Sequence, residues 1–323
     1  HQGSEDKARA ELKQFKQLAE NLEEAELRIA KLYIRWEKYD KAISLLEKML
    51  QTTDLSEVRY LLAALRFQNK QYKKALDDLA KIRFDAKEYE DGLILQVRVL
   101  KQLDAPQEAI TLLEAALAQE EKLHSDIYIL LAGIYQLTEE EQLSLEVFQR
   151  ALKLYPSDER LLYEYGLFLD SIGKQQQAMK NMQQLIKMTP EHAGALNYIG
   201  YTWADNNIHL NKAFLYISRA FSQTPDNPYI RDSLGWVHYR RGNLKKAVQT
   251  LEETVQLAPD DPAILDHLAE VYLAAGRSDD ALKTWRRALV LYNEQASSPK
   301  KETEANKRIE KQIQQLEREK ENK

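Results

Sequence analysis

Six histidines (His1, His124, His192, His209, His238 and His267) and 51 aspartates and glutamates are the side chains of this 323-residue chain best suited to acid–base or metal chemistry. Their spacing suits neither. No two histidines stand four residues apart, as a helical zinc-binding pair would need. Runs such as Glu139, Glu140 and Glu141 read as a solvated helix face, because so many acids make neighbours inevitable. There is no cysteine, which removes thiolate ligands, disulfides and a sulfur nucleophile. Neither a glycine-rich phosphate loop nor a serine nucleophile elbow occurs. The expectation is a chain with no enzymatic activity, no cofactor and no metal site.

A second pattern suits recognition. Asn197, Asp232 and Asp266 recur 35 and 34 residues apart. One residue on stand Tyr198, Ser233 and His267; four residues on stand Tyr201, Trp236 and Glu270; Tyr239 lies a further turn along from Trp236. On helices, these offsets put each set on one face. Amide and carboxylate groups beside aromatic area offer an extended polypeptide both hydrogen-bond partners and apolar contact. The same ladder would also serve to bond neighbouring helices to one another, with the aromatics packing between them, and the two roles are compatible. All ten residues are candidate partner-binding positions.

The elements that must position them come from an internal repeat. Ala42, Ala75, Ala109, Ser144, Ala178, Ala213, Ala247 and Ala281 recur at steps of 33 to 35 residues. Four residues after each comes a large apolar side chain: Leu46, Leu79, Leu113, Phe148, Met182, Ile217, Leu251 and Trp285. About twelve residues before each lies a second small or compact residue: Ala30, Ala63, Val97, Ala132, Gly166, Gly200, Gly235 and Ala269. Three residues beyond those, most units carry an apolar residue, but Arg66 and His238 break the pattern. Pro156, Pro190, Pro225 and Pro259 close successive units. Small residues permit close helix crossings, large ones fill the gap, and proline stops a helix. The reading is eight helix–turn–helix units over 23–293, one continuous solenoid rather than two domains.

Segments such as 161–190 and 232–259 resemble the tetratricopeptide repeat. The resemblance implies an all-α, right-handed superhelical solenoid whose concave face lines a groove for a protein or peptide partner. More finely, 195–221, 232–248 and 266–289 resemble bacterial envelope repeat lipoproteins, including the extra residue in the turn ADNNIHLNKA. One such family tethers a carboxyl-terminal processing protease and brings substrates to it. That resemblance implies a periplasmic or envelope location, with a lipid anchor upstream of this chain; the alternative is the cytoplasm. The asparagine–lysine clamp of some cytosolic repeat proteins is not matched, because the ladder here is partly acidic.

Composition agrees. Ten glycines and eight prolines in 323 residues are about half the usual share, too few for the turns of a β-sandwich or barrel. With 44% hydrophobic residues and net charge −5, the chain can build a core and is no dedicated nucleic-acid binder. Its longest apolar run, 127–135, is far short of the ~20 residues that span a bilayer. The chain opens on HQGSED rather than on Met, which suggests processing. Ala8, Leu12, Phe15, Ala19 and Leu22 form one helical stripe, so 1–22 is expected to be a capping helix. A linker and a charged helix carrying Ile309, Ile313 and Leu316 are expected over 294–323. The functional expectation is a protein-binding scaffold, with a structural part that self-assembles through its end helices as the alternative.

Overall fold

A computed structural model describes residues 22–120, 122–295 and 304–321. They form seventeen α-helices and no strand. The helices pair in chain order, an A helix followed by a B helix. The first four pairs are α1 (Leu22–Arg35) with α2 (Tyr39–Met49), α3 (Ser56–Gln68) with α4 (Tyr72–Leu79), α5 (Tyr89–Gln102) with α6 (Pro106–Gln119), and α7 (Ser125–Leu137) with α8 (Glu141–Leu154). The next four are α9 (Glu159–Ser171) with α10 (Gln175–Met188), α11 (Ala193–Asp205) with α12 (Leu210–Gln223), α13 (Pro228–Arg240) with α14 (Leu244–Leu257), and α15 (Pro262–Ala274) with α16 (Ser278–Gln295). A final helix, α17 (Glu304–Glu321), follows. The chain falls into two compact units, His1–Leu161 and Leu162–Lys323.

The small-then-large rhythm is the packing code of both units. Every small residue of the B-helix series is at most 3% exposed, and its large partner four residues on at most 1%. At Gly200 the reason is steric: an added Cβ would lie 2.7 Å from Ile217 Cγ1 and 3.0 Å from the Ala213 carbonyl oxygen. Only a residue without a side chain lets α11 approach α12 so closely. Arg66, which breaks the apolar slot, is held by an ion pair to buried Asp78 and a 2.7 Å contact to Glu47. His238, the other exception, packs its ring 5.2 Å from that of Phe214.

Turns and caps repeat with the same period. Each A-to-B turn passes through one left-handed residue: Glu37, Lys70, Asp104, Glu139, Gly173, Asn207, Gly242 and Gly276. The ADNNIHLNKA turn has a second, His209 at φ 49°, which absorbs its extra residue. Pro228 and Pro262 open their helices at the first turn, where a missing N–H is no loss. Before them, the side chains of Asn227 and Asp261 each accept two backbone N–H bonds.

The ends differ from the expected boundaries in one respect. Helix α16 runs on to Gln295, so the last repeat reaches past 293. Its C-terminal half carries Leu291 and Tyr292, which pack on a cluster that includes Ile309, Ile313 and Leu316 of α17. Those three side chains are 0%, 9% and 6% exposed. The stripe at Ala8, Leu12, Phe15 and Ala19 and the linker 296–303 lie outside the described residues; Leu22, at the stripe's end, is 52% exposed.

Candidate functional site

Helices α11, α13 and α15 stand side by side in the second unit, and direct contacts join six of the ten candidate residues, Tyr201, Asp232, Trp236, Tyr239, His267 and Glu270. The rungs are not independent. His267 Nδ1 on α15 lies 2.7 Å from Asp232 Oδ2 on α13, and the imidazole stacks on Trp236 with ring centres 4.3 Å apart. Tyr239 lies 5.1 Å from Trp236, and the Tyr201 hydroxyl is 3.5 Å from His267 Nε2. Tyr201, His267, Trp236 and Tyr239 thus form an aromatic rail across three A helices.

Much of the polar ladder is committed to holding repeats together. Asp266 accepts a 2.9 Å bond from the indole N–H of Trp285 and pairs through its other oxygen with Arg308 of α17. Glu270 receives Arg308 at 3.4 Å and the Tyr239 hydroxyl at 3.4 Å. Tyr198 donates to Asp170 at 2.7 Å, and Ser233 back-bonds to the Tyr229 carbonyl. Asp232, Ser233, Trp236 and Asp266 are only 4–7% exposed, whereas Asn197, Tyr198, Tyr201, Tyr239, His267 and Glu270 keep a partly open edge. The helical period expects these residues on one face, but the tertiary contacts bury its two aspartates.

Three polar atoms on that face are buried with no hydrogen-bond partner: Asn197 Oδ1, Asp232 Oδ1 and Trp236 Nε1. Leaving such a group unpaired costs on the order of 1–3 kcal/mol. The electrostatics favour a bound proton. Burial pushes the Asp232 carboxyl up, against the pull of His267. Burial pulls His267 down, but the bonded Asp232 carboxylate, with Asp266 and Glu270 nearby, raises it overall. The pair holds a proton more tightly than either group would in water.

Sequence reasoning missed Arg308, which supplies the next rung after Asp232 and His267. It also missed Arg240, whose guanidinium bonds the carbonyls of Ala204 and Asp205 and lies 5.8 Å from the Trp236 ring centre. An arginine's role as a tie between helices leaves no periodic trace. In the first unit, Arg28 and Lys31 of α1 are paired with Glu24 and Glu57. Among the described residues no group of three or more metal-ligating side chains converges, and no helix is long and apolar enough to cross a membrane.

Comparison with known proteins places these units. Tetratricopeptide-repeat models match 94–159, 159–192, 211–262 and 238–295, together more than half of the chain. A TPR repeat-containing protein of Pseudomonas aeruginosa is 29% identical over 195 residues, 60% of this chain. The match spans a third of that relative's length. Among solved structures, a tetratricopeptide repeat protein from Parabacteroides merdae aligns with TM-score 0.58 at 14% identity, over 81% of this chain and 98% of its own. The structure of pilF of Pseudomonas aeruginosa aligns with TM-score 0.54 at 18% identity, over 70% and 98%. These likenesses establish the fold.

Proposed function

This chain belongs to the tetratricopeptide-repeat family, and on that premise we propose that it is a non-enzymatic scaffold that holds a partner polypeptide against the A helices of repeats six to eight. The observation that carries the reading is the aromatic rail of Tyr201, His267, Trp236 and Tyr239, with the unpaired atoms of Asn197, Asp232 and Trp236 beside it. The rail gives apolar contact without conformational cost, since its rings are already fixed by one another. The partner would meet the partly open edges of Tyr201, Tyr239 and His267.

The finer proposal is that this happens in a bacterial envelope, on a lipid-anchored form of the protein, and that the partner is a carboxyl-terminal processing protease or its substrate. Support comes from the resemblance over 195–289 and from the ADNNIHLNKA turn, whose added residue is accommodated by His209. The alternative of self-assembly through the end helices loses one of its two ends. Ile309, Ile313 and Leu316 are buried in the chain's own core, so α17 offers no apolar stripe to a second copy.

A photo-crosslinking amino acid at Tyr239 tests the proposal in the source cells. It should capture a defined polypeptide, identified by mass spectrometry, that the same probe at exposed Lys246 on α14 does not. Capture of the same proteins from both positions would reject the site. Capture from Tyr239 of a protein that is neither a protease nor a protease substrate would reject the finer role and leave the scaffold standing.

A further inference from the structure

Three residues beyond the compact residue of each A helix lies a slot whose polar occupants are answered by the preceding repeat. Arg66 donates to Glu47 at 2.7 Å, Tyr135 to Glu114, and Tyr272 to Glu252 at 2.7 Å. Each glutamate stands five residues after the small residue of the preceding B helix, at Ala42, Ala109 and Ala247. Where the slot is apolar, at Leu100, Leu169 and Trp203, that position holds Ala80, Gln149 and Gln183. Repeat seven breaks the rule. Its slot holds His238, and the position five beyond Ala213 is Ser218.

The imidazole is therefore left without an acid. His238 is 8% exposed, neither ring nitrogen has a hydrogen-bond partner, and of the two only Nδ1 is fully enclosed. Burial, and then Lys246 and Arg241, hold the ring below the usual histidine range. The Arg241 guanidinium lies 4.4 Å from the ring centre of Phe214, on which His238 also packs. It bonds neutral Asn211 at 3.3 Å, and neither it nor Lys246 forms an ion pair among the described residues. In repeat eight, by contrast, one carboxylate, Glu252, meets one arginine, Arg277, at 2.9 Å. Two cations without a carboxylate suit a dianion, and an oxyanion has acceptors enough for guanidinium, ammonium and imidazole N–H together.

We propose that the junction of α12, α13 and α14 at His238 binds a free phosphate dianion, held by Arg241 and Lys246 with His238 Nε2–H as a third donor, where other repeats place a glutamate. The ion joins repeat six to repeat seven, as Glu252 joins seven to eight through Tyr272. None of the ten candidate partner-binding residues takes part, so the inference stands apart from the scaffold reading.

Calorimetry on the full chain at pH 8, where phosphate is mainly dianionic, should show inorganic phosphate binding at one site over a background of sodium chloride at matched ionic strength. Acetate should bind at least tenfold more weakly. Arg241→Gln and Lys246→Gln should each weaken phosphate at least fivefold, while Lys283→Gln, which removes an exposed cation of α16, should leave it unchanged. Ser218→Glu restores the missing acid and should abolish phosphate binding while raising the melting temperature. In imidazole NMR spectra, assigned with His238→Gln, phosphate should make His238 hold its proton at least fivefold more tightly and leave His124 unmoved. No saturable phosphate binding, acetate binding as tight as phosphate, or full phosphate binding in Ser218→Glu would overturn the proposal. So would an unresponsive His238, or equal losses in Lys283→Gln and Lys246→Gln, which would reduce the effect to overall charge. Co-sedimentation with phosphatidylglycerol vesicles that Arg241→Gln abolishes would assign the site to a lipid headgroup and overturn the free ion.

Discussion

His267 Nδ1 meets Asp232 Oδ2 at 2.7 Å across the α13–α15 contact, joining two residues 35 positions apart in the chain. The bond links two consecutive repeats and at the same time fixes the imidazole flat on Trp236. The proposed recognition surface and the inter-repeat joint are therefore one structure here.

The pair makes stability depend on pH with a definite sign. His267 is raised in the folded state, so its contribution is complete below the unfolded value of about 6.5 and is lost as pH rises through the folded one. Asp232, also raised, acts in the same direction, because the native state again holds the extra proton. His238 is lowered, by burial first and then by Lys246 and Arg241, so it costs stability as pH falls below about 6.5. Urea melts from pH 6 to 9 should show the wild type losing stability relative to His267→Gln. A constant difference across that range would show that the pair holds no extra proton.

Two glycines of A helices should respond oppositely to a side chain. Gly200→Leu forces Ile217 and the Ala213 carbonyl apart and should destabilise by about 1–3 kcal/mol. Gly133→Ala has open space and should stabilise by about 0.5–1 kcal/mol through helix propensity alone. Thermal melts of the two variants check both, and a loss of stability at Gly133 would contradict the open space around it.

Lys70 adopts φ 58° in the turn between α3 and α4, where repeats five, seven and eight use glycine. A left-handed residue with a Cβ costs roughly 1–2 kcal/mol, of which glycine's greater unfolded freedom takes back part. Lys70→Gly should therefore stabilise by about 0.5 kcal/mol, while Gly173→Ala, the reverse exchange, should destabilise. Chemical denaturation of both measures the pair.

Arg308 closes the last rung by pairing with Asp266 and Glu270. Arg308→Ala leaves Asp266 buried with only the Trp285 indole as a partner, at a cost of about 1–2 kcal/mol. Removing 304–323 should do more, because it uncovers the apolar surface against which Ile309, Ile313 and Leu316 pack. Sedimentation should then show association of a chain that Arg308→Ala leaves unchanged in mass.

The sequence by itself determined the helices, their pairing and the register of eight repeats. Helical contacts recur at three and four residues, and close crossings demand a small residue, so Ala213 with Ile217 and Gly235 with Leu251 are written locally. The sequence also put Asn197, Asp232 and Asp266 on one face, since that follows from the period and the helical pitch. It did not show which of their oxygens remain available. That depended on partners supplied by the next helix: His267 for Asp232, and Arg308, 42 residues on, for Asp266. Nor did it show that Gly133 has open space around it while Gly200 sits at a close crossing. The register sets them apart, since Ala132 and not Gly133 is the equivalent of Gly200, but only the distance to the neighbouring helix, set by how whole repeats stack, shows how much space each has.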